Sequence, residues 1–600
     1  MGYCLSREGI DQLLQYWQNG GYTVFAPKRF AGGGAFSDTD YIRYGAVRAI
    51  DEIVFDVKSD YSFKEWLLPV TQFLFYFTED QIKEAAEQPR KAVIFLRSCD
   101  LHGVKRLDGI YLHNGVPDYY YKQIRDQVKF VLMGCVKAWE NCFCVDMDAN
   151  RTHCYDLSID SDGDQYLIDC KEEAWQPWLL ELAIRELAVV PRFVTETAVH
   201  VAVPSGLSAK VAASSMWAEY DSRCINCGRC NFVCPTCTCF TMQDVFYTDN
   251  RIAGERRRVW ASCMVDGYTD VAGGGSYRKK TVSACALKRC TKFWTSSSIL
   301  AATCVWDAGV VTTPVRNTFL SAVLLIAWMR RCGRLTMLTN EYAPFNSKIK
   351  QVIKHTDLEY TFKMTYAGPV KPGQFFEVSL PKYGEAPISV SGIGENTVDL
   401  TIRKVGRVTG EVFERYAGQS LFMRGPYGNG FDLDLYKGKE LVVIAGGTGV
   451  SPVRGVVDYF SRNMHELKGL TVVAGFKSPG DILFRDDFSD WENACSVVLT
   501  VDKAGGNVSC REGLVTEYIP TLDLRDASTA MAIVVGPPAM MRFTVKGLLE
   551  TGFREANIWI SQERKMCCGI GKCGHCKIND IYVCLDGPVF NYTKGKTLLD

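Results

Sequence analysis

Two groups of cysteines in this sequence have the spacing of metal ligands. The first group is Cys224-x2-Cys227-x2-Cys230-x3-Cys234, directly followed by Pro235. Four thiolates at this spacing are typical of a loop that holds a cubane [4Fe–4S] cluster, and the fourth cysteine often ligates a second cluster. A structural zinc site is the alternative. A cubane moves one electron at a time, so the rest of the chain is expected to deliver electrons to this loop or to remove them.

The second group of cysteines lies near the carboxyl end of the sequence. Cys568, Cys573, Cys576 and Cys584 follow one another as C-x4-C-x2-C-x7-C. The first three have the plant-type ferredoxin spacing, and four thiolates suit a [2Fe–2S] cluster. A zinc site is again the alternative. Cys567 does not alter the spacing and is predicted not to be a ligand.

A third set of cysteines follows two predicted strands in the first 200 residues. The apolar runs Ala92–Leu96 and Val128–Met133 predict buried strands, each ending at a turn that carries thiols. Thiols at the ends of such strands could ligate a further metal centre. Free buried cysteine, which packs as a small hydrophobic residue, is the alternative. The cysteines concerned are Cys99, Cys135, Cys142 and Cys144.

Two glycine-containing turns follow predicted parallel strands in the second half. One comes directly after Leu441–Ala445 and opens a predicted helix, and the other comes after Met531–Val535. Glycine lets the backbone approach a pyrophosphate at the start of a helix, and ligands of open α/β sheets bind at the carboxyl edge of the strands. The sequence therefore predicts a nucleotide site at this edge. Its predicted residues are Gly446, Gly447, Thr448, Gly449, Pro452, Gly536, Pro537 and Met540.

Two short motifs between these groups are suited to a flavin. Pro387-Ile388-Ser389 lies in a predicted strand, and a strand serine can hydrogen-bond a flavin ring. Gly406-x2-Thr409 forms a turn whose N–H and O–H groups can bind phosphate. An ordinary strand end and an ordinary tight turn are the alternatives.

The length and composition indicate a globular protein of several domains. At 600 residues the chain is too long for a single core. A formal net charge of zero argues against a nucleic acid or an acidic membrane held by bulk charge, and Arg256-Arg257-Arg258 is interpreted as a solvated face rather than a docking patch. The 25 cysteines and the polar start without a signal peptide predict a reducing, cytoplasmic location. The longest apolar run, Thr318–Met329, is too short to span a bilayer, so no membrane span is predicted.

The pattern of strands and helices divides the sequence into six predicted segments. Short β-rich runs separated by glycine and proline predict an antiparallel barrel, and continuous apolar strands that alternate with helices predict a parallel α/β domain. Trp175–Val190 has apolar residues at helical spacing and predicts a packed helix. The segments are an α/β domain (1–200), a ferredoxin-type [4Fe–4S] region (201–280), an irregular linker (281–336), a flavin-binding barrel (337–435), a nucleotide-binding domain (436–560) and a [2Fe–2S] domain (561–600).

The predicted linker does not have the pattern of a sequence selected to fold. Its only acid is Asp307, set against several lysines and arginines. Back-translation of Cys304–Arg316, read from the third base of each codon, permits Cys-Val-Gly-Cys-Gly-Arg-Cys-Asp-Asp-Ala-Cys-Pro, a second cubane run. Codon degeneracy permits this result but does not force it. We hypothesise that two adjacent reading frames are joined here through a frameshifted tail, and that Met337 begins the second.

Taken together, the motifs resemble those of a known family. Residues 337–600 resemble the flavin-containing component of anaerobic sulfite reductase, which is related to the electron-transfer component of dihydroorotate dehydrogenase and to ferredoxin–NADP reductases. Residues 1–280 resemble the iron–sulfur component of the same enzyme, which carries paired cubane runs, of which one is present in this frame. The matching motifs of the second half are PISVS, IRKVGRVT, RGPYGNG, IAGGTGVSPV, VVGPPAMM and QERKMCCGIGKCGHC.

The resemblance implies an enzyme that oxidises NAD(P)H and passes electrons through FAD, [2Fe–2S] and [4Fe–4S] centres. NAD(P)H would bind at the Gly446–Gly449 turn and FAD at the two flavin motifs. Ala386 stands where an arginine commonly precedes the flavin-binding serine. Arg403 or Arg424 is therefore expected to face the FAD phosphates.

The implied electron acceptor is a separate sirohaem subunit that reduces sulfite to sulfide. Nothing in this sequence resembles that protein. One alternative is the diaphorase part of a sulfhydrogenase, or another oxidoreductase that links NAD(P)H to a ferredoxin-type domain. An alternative of a different class is a frameshifted fusion product without function as a single chain.

Overall fold

The computed structural model describes the chain in ten stretches. They are residues 2–34, 39–84, 90–202, 224–248, 253–265, 267–271, 275–276, 339–415, 419–504 and 510–598. The predicted linker at 281–336, with its frameshift hypothesis and its apolar run, lies outside these residues. Within them, no helix is long and apolar enough to cross a membrane.

The first domain is built on an eight-stranded sheet. Its strands are β1 (Gly2–Ser6), β2 (Thr23–Phe30), β3 (Tyr41–Ala46), β6 (Ala92–Leu96), β7 (Val128–Met133), β8 (Leu157–Asp162), β9 (Gln165–Cys170) and β10 (Arg185–Leu187). Their spatial order is β10-β1-β9-β8-β7-β6-β2-β3, and the central strands β2, β6, β7 and β8 are parallel. β6 and β7 have the bounds that their apolar runs predicted.

Helices cover both faces of this sheet. Alternate residues of β6 pack into two different cores, one shared with helix Arg7–Asn19 and the other with helix Ser98–Tyr111. Burial on both faces explains why the strand is apolar at every position. The shorter helices of this domain are Lys64–Leu67, Tyr119–Arg125 and Gln176–Leu182.

The predicted helix at Trp175–Val190 is wrong over its second half. The helix ends at Leu182, the backbone of Ala183 is extended, and Arg185–Leu187 forms β10. β10 pairs antiparallel with the edge strand β1. Pairing with an open sheet edge satisfies the backbone as well as a helix does, so apolar spacing alone could not decide between the two.

A second, four-stranded sheet joins distant parts of the first half. Its strands are β4 (Thr71–Phe77), β5 (Ile82–Glu84), β11 (Phe240–Phe246) and β12 (Gly254–Trp260), in the order β11-β12-β4-β5. Because β12 pairs with β4, residues 71–84 fold together with the cubane region. Helix Arg229–Phe232 and the short hairpin of β13 (Asp270–Val271) and β14 (Gly275–Ser276) belong to the same region.

The third unit is the predicted antiparallel barrel, which is closed by six strands. They are β15 (Phe345–Lys354), β16 (Glu359–Thr365), β17 (Phe375–Leu380), β18 (Gly384–Gly394), β19 (Thr397–Arg403) and β20 (Ser420–Tyr427), in the order β15-β16-β19-β18-β17-β20. Alternate side chains fill the interior with aliphatic and aromatic groups. Helix Arg407–Arg415 packs beside β17 and β18.

The fourth unit is a seven-stranded sheet with helices on its faces. Its strands are β21 (Glu440–Gly446), β22 (Gly469–Phe476), β23 (Ser496–Val501), β24 (Arg511–Glu512), β25 (Met531–Val535), β26 (Ile558–Ser561) and β29 (Val589–Asn591). Their order is β24-β23-β22-β21-β25-β26-β29, and only β29 runs antiparallel to its neighbour. Its helices are Val450–Arg462, Arg485–Glu492 and Pro538–Glu550.

The cysteine-rich tail packs onto this sheet through β29. It also contains β27 (Lys577–Ile578), β28 (Ile581–Tyr582) and helices Val583–Asp586 and Tyr592–Gly595. The predicted multidomain α/β and β architecture is therefore confirmed: an α/β domain with a cluster region, an antiparallel barrel, a parallel α/β domain and a small cysteine-rich domain.

Candidate functional site

A cavity of about 1210 Å³ opens at the carboxyl edge of the parallel sheet. It lies where the strand order reverses between β21 and β25, which is the position at which open α/β sheets bind nucleotides. Helices Val450–Arg462 and Pro538–Glu550 begin at this edge, and helix N-termini favour phosphate groups. Pro452 is buried in the first turn of its helix, outside the lining. The predicted residues that line the cavity are Gly446, Gly447, Thr448, Gly449, Gly536, Pro537 and Met540.

The glycines of the two turns are required by close packing between the strand ends. A Cβ atom at Gly449 would lie 2.6 Å from the carbonyl oxygen of Val535, and one at Gly536 would lie 2.6 Å from the sulfur of Met540. Gly447 has φ of +55°, in the left-handed region. Side chains at these positions would push the two turns apart, so the glycines keep the shape of the cavity.

The strand motif Pro387-Ile388-Ser389 has alternating burial. Pro387 is exposed and Ser389 is half-buried, while Ile388 packs in the barrel interior. Because alternate residues of a strand point to opposite faces, Pro387 and Ser389 face the same side, outside the barrel. The serine hydroxyl is thus placed where a flat ring lying against the barrel wall can reach it.

The Gly406–Thr409 turn opens helix Arg407–Arg415. The hydroxyl oxygen of Thr409 accepts hydrogen bonds from the N–H groups of Val405 at 3.1 Å and Gly406 at 2.9 Å. These bonds fix the turn at a helix N-terminus, where phosphate groups are favoured. The arrangement fits the predicted FAD phosphate site.

The two arginines expected near the FAD phosphates lie in different places. Arg403 lines the nucleotide cavity and pairs with Glu359 at 3.1 Å. Arg424 is only 1% exposed and donates to the carboxylate of Glu385 at 2.6 and 2.9 Å. It also donates to the carbonyl oxygens of Cys567 and Cys568 at 2.9 and 3.0 Å. The expectation for Arg424 is wrong, because this side chain is fully engaged in holding the cysteine loop.

The four predicted [2Fe–2S] ligands converge in the carboxyl-terminal domain. Cys568, Cys573, Cys576 and Cys584 are each only 1–2% exposed. The Sγ atoms of Cys576 and Cys584 are 3.4 Å apart. Four thiols brought together away from solvent form a donor set suited to an iron–sulfur cluster.

Backbone N–H groups of the loop donate to these sulfurs. Gly571 donates to Sγ of Cys584 at 3.2 Å, and Lys572 and Cys573 donate to Sγ of Cys568 at 3.3 and 3.4 Å. Burial alone would raise the pKa of Cys568, but hydrogen bonds from Cys573, Cys584 and the backbone lower it well below its usual value. The loop therefore favours the thiolate of Cys568, the form that ligates a metal. Burial raises the pKa of Cys573, and hydrogen bonds with Cys568 and Cys576 raise that of Cys584.

Cys567 lies closer to the ligand set than its spacing suggested. The ligand atoms of Cys567, Cys573 and His575 lie within 4.8 Å of one another. The ring of His575 stacks on Tyr268, with 3.9 Å between the ring centroids. Two sulfurs and one imidazole are also a donor set for zinc, so this trio is an alternative ligand set. The assignment of Cys567 as a bystander stays a prediction.

The cubane run occupies a loop whose turns use left-handed backbone. Asn226 and Gly228 have φ of 54° and 74°, and helix Arg229–Phe232 follows. Cys227 and Cys230 are exposed. The two outer cysteines of the run are partly buried, and four thiols on one short loop fit a cubane cluster by donor chemistry.

The [2Fe–2S] loop packs directly against the first half of the chain. The hydroxyl of Tyr268 donates to the carbonyl oxygen of Cys573 at 2.6 Å. Lys572, which is fully buried, donates from Nζ to the carbonyl oxygens of Ile110 at 2.9 Å and Asn114 at 2.6 Å. Burial lowers the pKa of Lys572 to about 8. These contacts bring the two cysteine regions together although they are far apart in sequence.

The interpretation of Arg256-Arg257-Arg258 as a solvated face is wrong for two of the three residues. Arg256 and Arg258 are 1% and 4% exposed, while the side chain of Arg257 is 41% exposed. Arg256 pairs with Asp244 at 2.6 Å and with Glu385 of the barrel. The alternation of side chains along a strand could have indicated this burial from the sequence. In β12 the first and third arginines lie on one face and the second on the other.

Comparison with known protein families assigns three parts of the chain. Residues 223–306 match the 4Fe-4S dicluster domain. Residues 443–546 match the oxidoreductase NAD-binding domain, and residues 563–594 match the iron–sulfur cluster binding domain of dihydroorotate dehydrogenase B. The predicted NAD(P)H and iron–sulfur cofactors are thereby confirmed at the level of domains.

The chain is 35% identical over 272 residues to the sulfhydrogenase 1 subunit gamma of Pyrococcus furiosus, which covers 42% of this chain and 92% of that protein. The chain belongs to the family of the sulfhydrogenase gamma subunits. The dihydroorotate dehydrogenase B electron transfer subunit of Clostridium perfringens is 29% identical over 252 residues, covering 41% of this chain and 96% of that protein. Among solved structures, an NADH-dependent reduced ferredoxin-NADP oxidoreductase matches with a TM-score of 0.36 and 22% identity, covering 42% of this chain and 89% of that one.

Family membership and the three matched domains describe an NAD(P)H-dependent flavin and iron–sulfur oxidoreductase that transfers electrons. The resemblance to anaerobic sulfite reductase implies more than this description, because it also specifies the electron acceptor.

Proposed function

We propose that this chain is the NAD(P)H-oxidising electron-transfer component of an anaerobic sulfite reductase. Electrons would enter at the nucleotide cavity and leave through the cubane region to a separate sirohaem subunit that reduces sulfite to sulfide. The proposal includes the six segments predicted from the sequence and the assigned cofactor residues. The hypothesised second cubane run would be encoded in a shifted frame at Cys304–Arg316, which lies outside the described residues; the dicluster match extends to residue 306.

One observation supports the electron path most directly. The [2Fe–2S] loop touches the first half through Tyr268, which donates to Cys573 and stacks on His575. A reductase that served only a soluble acceptor would not need its last centre covered by a second cluster-binding region. This contact is therefore the reason to place the cubane region after the [2Fe–2S] centre.

The residues of the chain hold and orient the cofactors in this scheme. FAD, when bound, would accept hydride from NAD(P)H and release electrons singly to iron–sulfur centres. The glycine turns present backbone N–H groups to the nucleotide phosphates, and the Thr409 turn presents them to the flavin phosphates. Arg424 fixes the cysteine loop to the barrel through two carbonyl oxygens, so the flavin-binding wall and the cluster loop keep one relative position.

An anaerobic titration tests the path. The full chain, reconstituted with FAD, iron and sulfide, is mixed with NADH or NADPH while the flavin and cluster absorption bands are followed. We expect the flavin and then the clusters to be reduced, and sulfide to form when sulfite is supplied together with the sirohaem protein. Reduction of the flavin without reduction of any cluster contradicts the path. Reduction of the clusters without sulfide formation contradicts only the sulfite assignment.

The diaphorase part of a sulfhydrogenase is a second candidate, favoured by two gamma-subunit relatives at 35% and 33% identity. In that case the clusters would exchange electrons with hydrogenase subunits instead of a sirohaem protein. Mixing the chain with each partner separately distinguishes the two. The third interpretation, a frameshifted product without function, is tested by sequencing the 281–336 junction and by the same cluster titration.

A further inference from the structure

The four cysteines of the first domain without an assigned role meet at one edge of its sheet. β6 and β7 are parallel neighbours, with Leu96 opposite Leu132. Cys99 and Cys135 each lie three residues beyond these partners. Because parallel strands end at the same edge, the two cysteines occupy matched positions there.

The loop that follows β7 carries Cys142 and Cys144 back over this edge. The ring of Trp139 lies 4.4 Å from the guanidinium of Arg97, and its indole N–H donates to the carbonyl oxygen of Asp56 at 3.3 Å. The N–H of Cys142 donates to the carbonyl oxygen of Trp139 at 2.9 Å. The loop is thus anchored on Arg97, which begins the turn that leads to Cys99.

The four thiols lie close enough to interact electrostatically. The pKa of Cys144 is raised first by burial and then by Cys142 and Cys135. The pKa of Cys99 is raised first by burial and then by Asp100, Cys135 and, more weakly, Cys144. Every thiol of the group acts on at least one other.

Two cationic side chains offset negative charge at this position. Arg97, only 5% exposed, donates from Nη1 to Sγ of Cys135 at 3.5 Å and to the carbonyl oxygen of Gly134 at 3.4 Å. Lys58 opposes the effect of burial on the pKa of both Cys99 and Cys144. A set of thiolates is stabilised by such neighbours.

We propose that Cys99, Cys135, Cys142 and Cys144 ligate an iron–sulfur cluster of the cubane class. Ligation releases the four thiol protons and forms four iron–sulfur bonds. One zinc ion would hold its four sulfurs roughly 3.8 Å apart. Among the described residues, the one trio of such ligand atoms within 4.8 Å lies in the carboxyl-terminal loop, so these four sulfurs are spread more widely. A four-iron core binds each cysteine at a different iron and fits the wider spacing.

The proposed site stands in line with the two regions already described. Cys99 lies in the first turn of helix Ser98–Tyr111, and a Cβ at Gly103 of this helix would lie 3.5 Å from Pro235, beside the cubane run. The carbonyl oxygen of Ile110, near its other end, accepts from Lys572 of the [2Fe–2S] loop. At 1.5 Å per residue, Cys99 and Ile110 are about 16 Å apart along the helix axis. One helix therefore contacts all three cysteine regions in succession.

Iron analysis of the full chain tests the proposal. Wild type, Cys135→Ser, Cys142→Ser and the control Cys154→Ser are reconstituted anaerobically with iron and sulfide. Iron, acid-labile sulfide and zinc are then counted per chain. We expect Cys135→Ser and Cys142→Ser to lose about four irons and four sulfides each, as one cubane does. Cys154 lies on the same connection between β7 and β8 but acts on none of the four thiols, and its variant should match wild type.

The outcomes separate the alternatives. Unchanged iron in Cys142→Ser overturns the proposal, and loss of one zinc without iron replaces it with a zinc site. Retention of the [2Fe–2S] signal shows that each variant is folded. As an independent measurement, Cys227→Ser combined with Cys230→Ser removes ligands of the other run. A cubane signal must survive in that variant, and its complete loss overturns the proposal as well.

Discussion

Glu377 is a buried carboxyl group whose charge is set by its surroundings. Its side chain is fully buried on β17, and neither carboxyl oxygen has a hydrogen-bond partner among the described residues. Burial and then the neighbouring Glu385 raise the pKa of Glu377, Arg424 opposes them, and the resulting pKa is about 8. The group is therefore largely protonated at neutral pH in the folded chain.

This shift predicts a loss of stability with rising pH. Because the folded pKa lies above the unfolded one, the stabilising effect of the proton is complete below about pH 4.5 and is lost as pH rises to about 8. Glu377→Gln, neutral throughout, should remove a contribution on the order of 4 kcal/mol from this pH dependence. Melting temperatures of wild type and variant between pH 5 and 8 measure it, with Glu395→Gln on an exposed turn as the control. Equal slopes for all three proteins would refute the assignment.

Two adjacent cysteines of the tail have different predicted roles: Cys568 is a cluster ligand and Cys567 is not. Cys573→Ser should abolish the [2Fe–2S] signal in electron paramagnetic resonance and leave reduction of bound FAD by NADH intact, because the nucleotide cavity contains no residue of the cysteine loop between 567 and 584. Cys567→Ser should retain the cluster. The geometry makes this a sharp comparison, since Cys567, Cys573 and His575 lie within 4.8 Å of one another. Loss of the signal in Cys567→Ser, with retention in Cys568→Ser, would reverse the assignment.

At the scale of elements, the strand–turn–helix unit around Gly449 depends on backbone proximity. Gly449→Ala would place a Cβ 2.6 Å from the carbonyl oxygen of Val535, which moves the turn into the cavity or away from β25. We expect the affinity for NADH to fall at least tenfold, about 1.4 kcal/mol, without loss of the iron–sulfur spectrum. Gly455→Ala, on the same helix, meets only Pro372 at an ordinary 3.4 Å and should bind NADH normally. Titration of each variant with NADH decides the matter, and equal affinities would show that the turn does not contact the nucleotide.

Secondary-structure elements could be predicted from the sequence where the pattern of apolar residues is compatible with only one type of element. β6 and β25 are continuous apolar runs buried on both faces, β7 departs from this only at Lys129, and the predicted bounds of all three agree with the structure. Residues 185–187 could not be predicted in this way, because two of the three are charged and exposed and the strand is held by backbone pairing with β1.

The candidate site follows the same rule. Cysteine and glycine spacings along one loop are local, and the structure brings together the four tail cysteines and the glycines of the two turns. The roles of Arg256 and Arg424 depend on partners in other domains, so no local pattern indicates them. The approach of Cys144 to Cys99 depends on a loop folding back over a sheet edge, which spacing cannot show.

On the scale of the whole molecule, the two halves share a buried polar interface. Arg256 of β12 donates to the hydroxyl of Ser379 at 2.9 Å and pairs with Glu385, both of the barrel. Tyr342, fully buried, donates to the carboxylate of Asp118 in the first half at 2.5 Å. Because buried polar groups of each half find some of their partners in the other half, each half depends on the other, whatever connects them in the chain.

The interface predicts that the halves associate when expressed as separate chains, residues 1–276 and 339–600. They should co-purify on gel filtration. Arg256→Ala leaves Asp244 without its buried cation and leaves Glu385 with Arg424 alone, a change that costs about 3–5 kcal/mol and should weaken association at least about a hundredfold. Arg257→Ala is the matched control on the next residue: its side chain is 41% exposed, and loss of a surface ion pair costs about 1 kcal/mol or less. Binding titrations of the two chains compare the variants. If wild-type halves elute separately, or if both variants weaken association equally, the buried arginine does not join the halves and the path from the [2Fe–2S] loop to the first half loses its structural support.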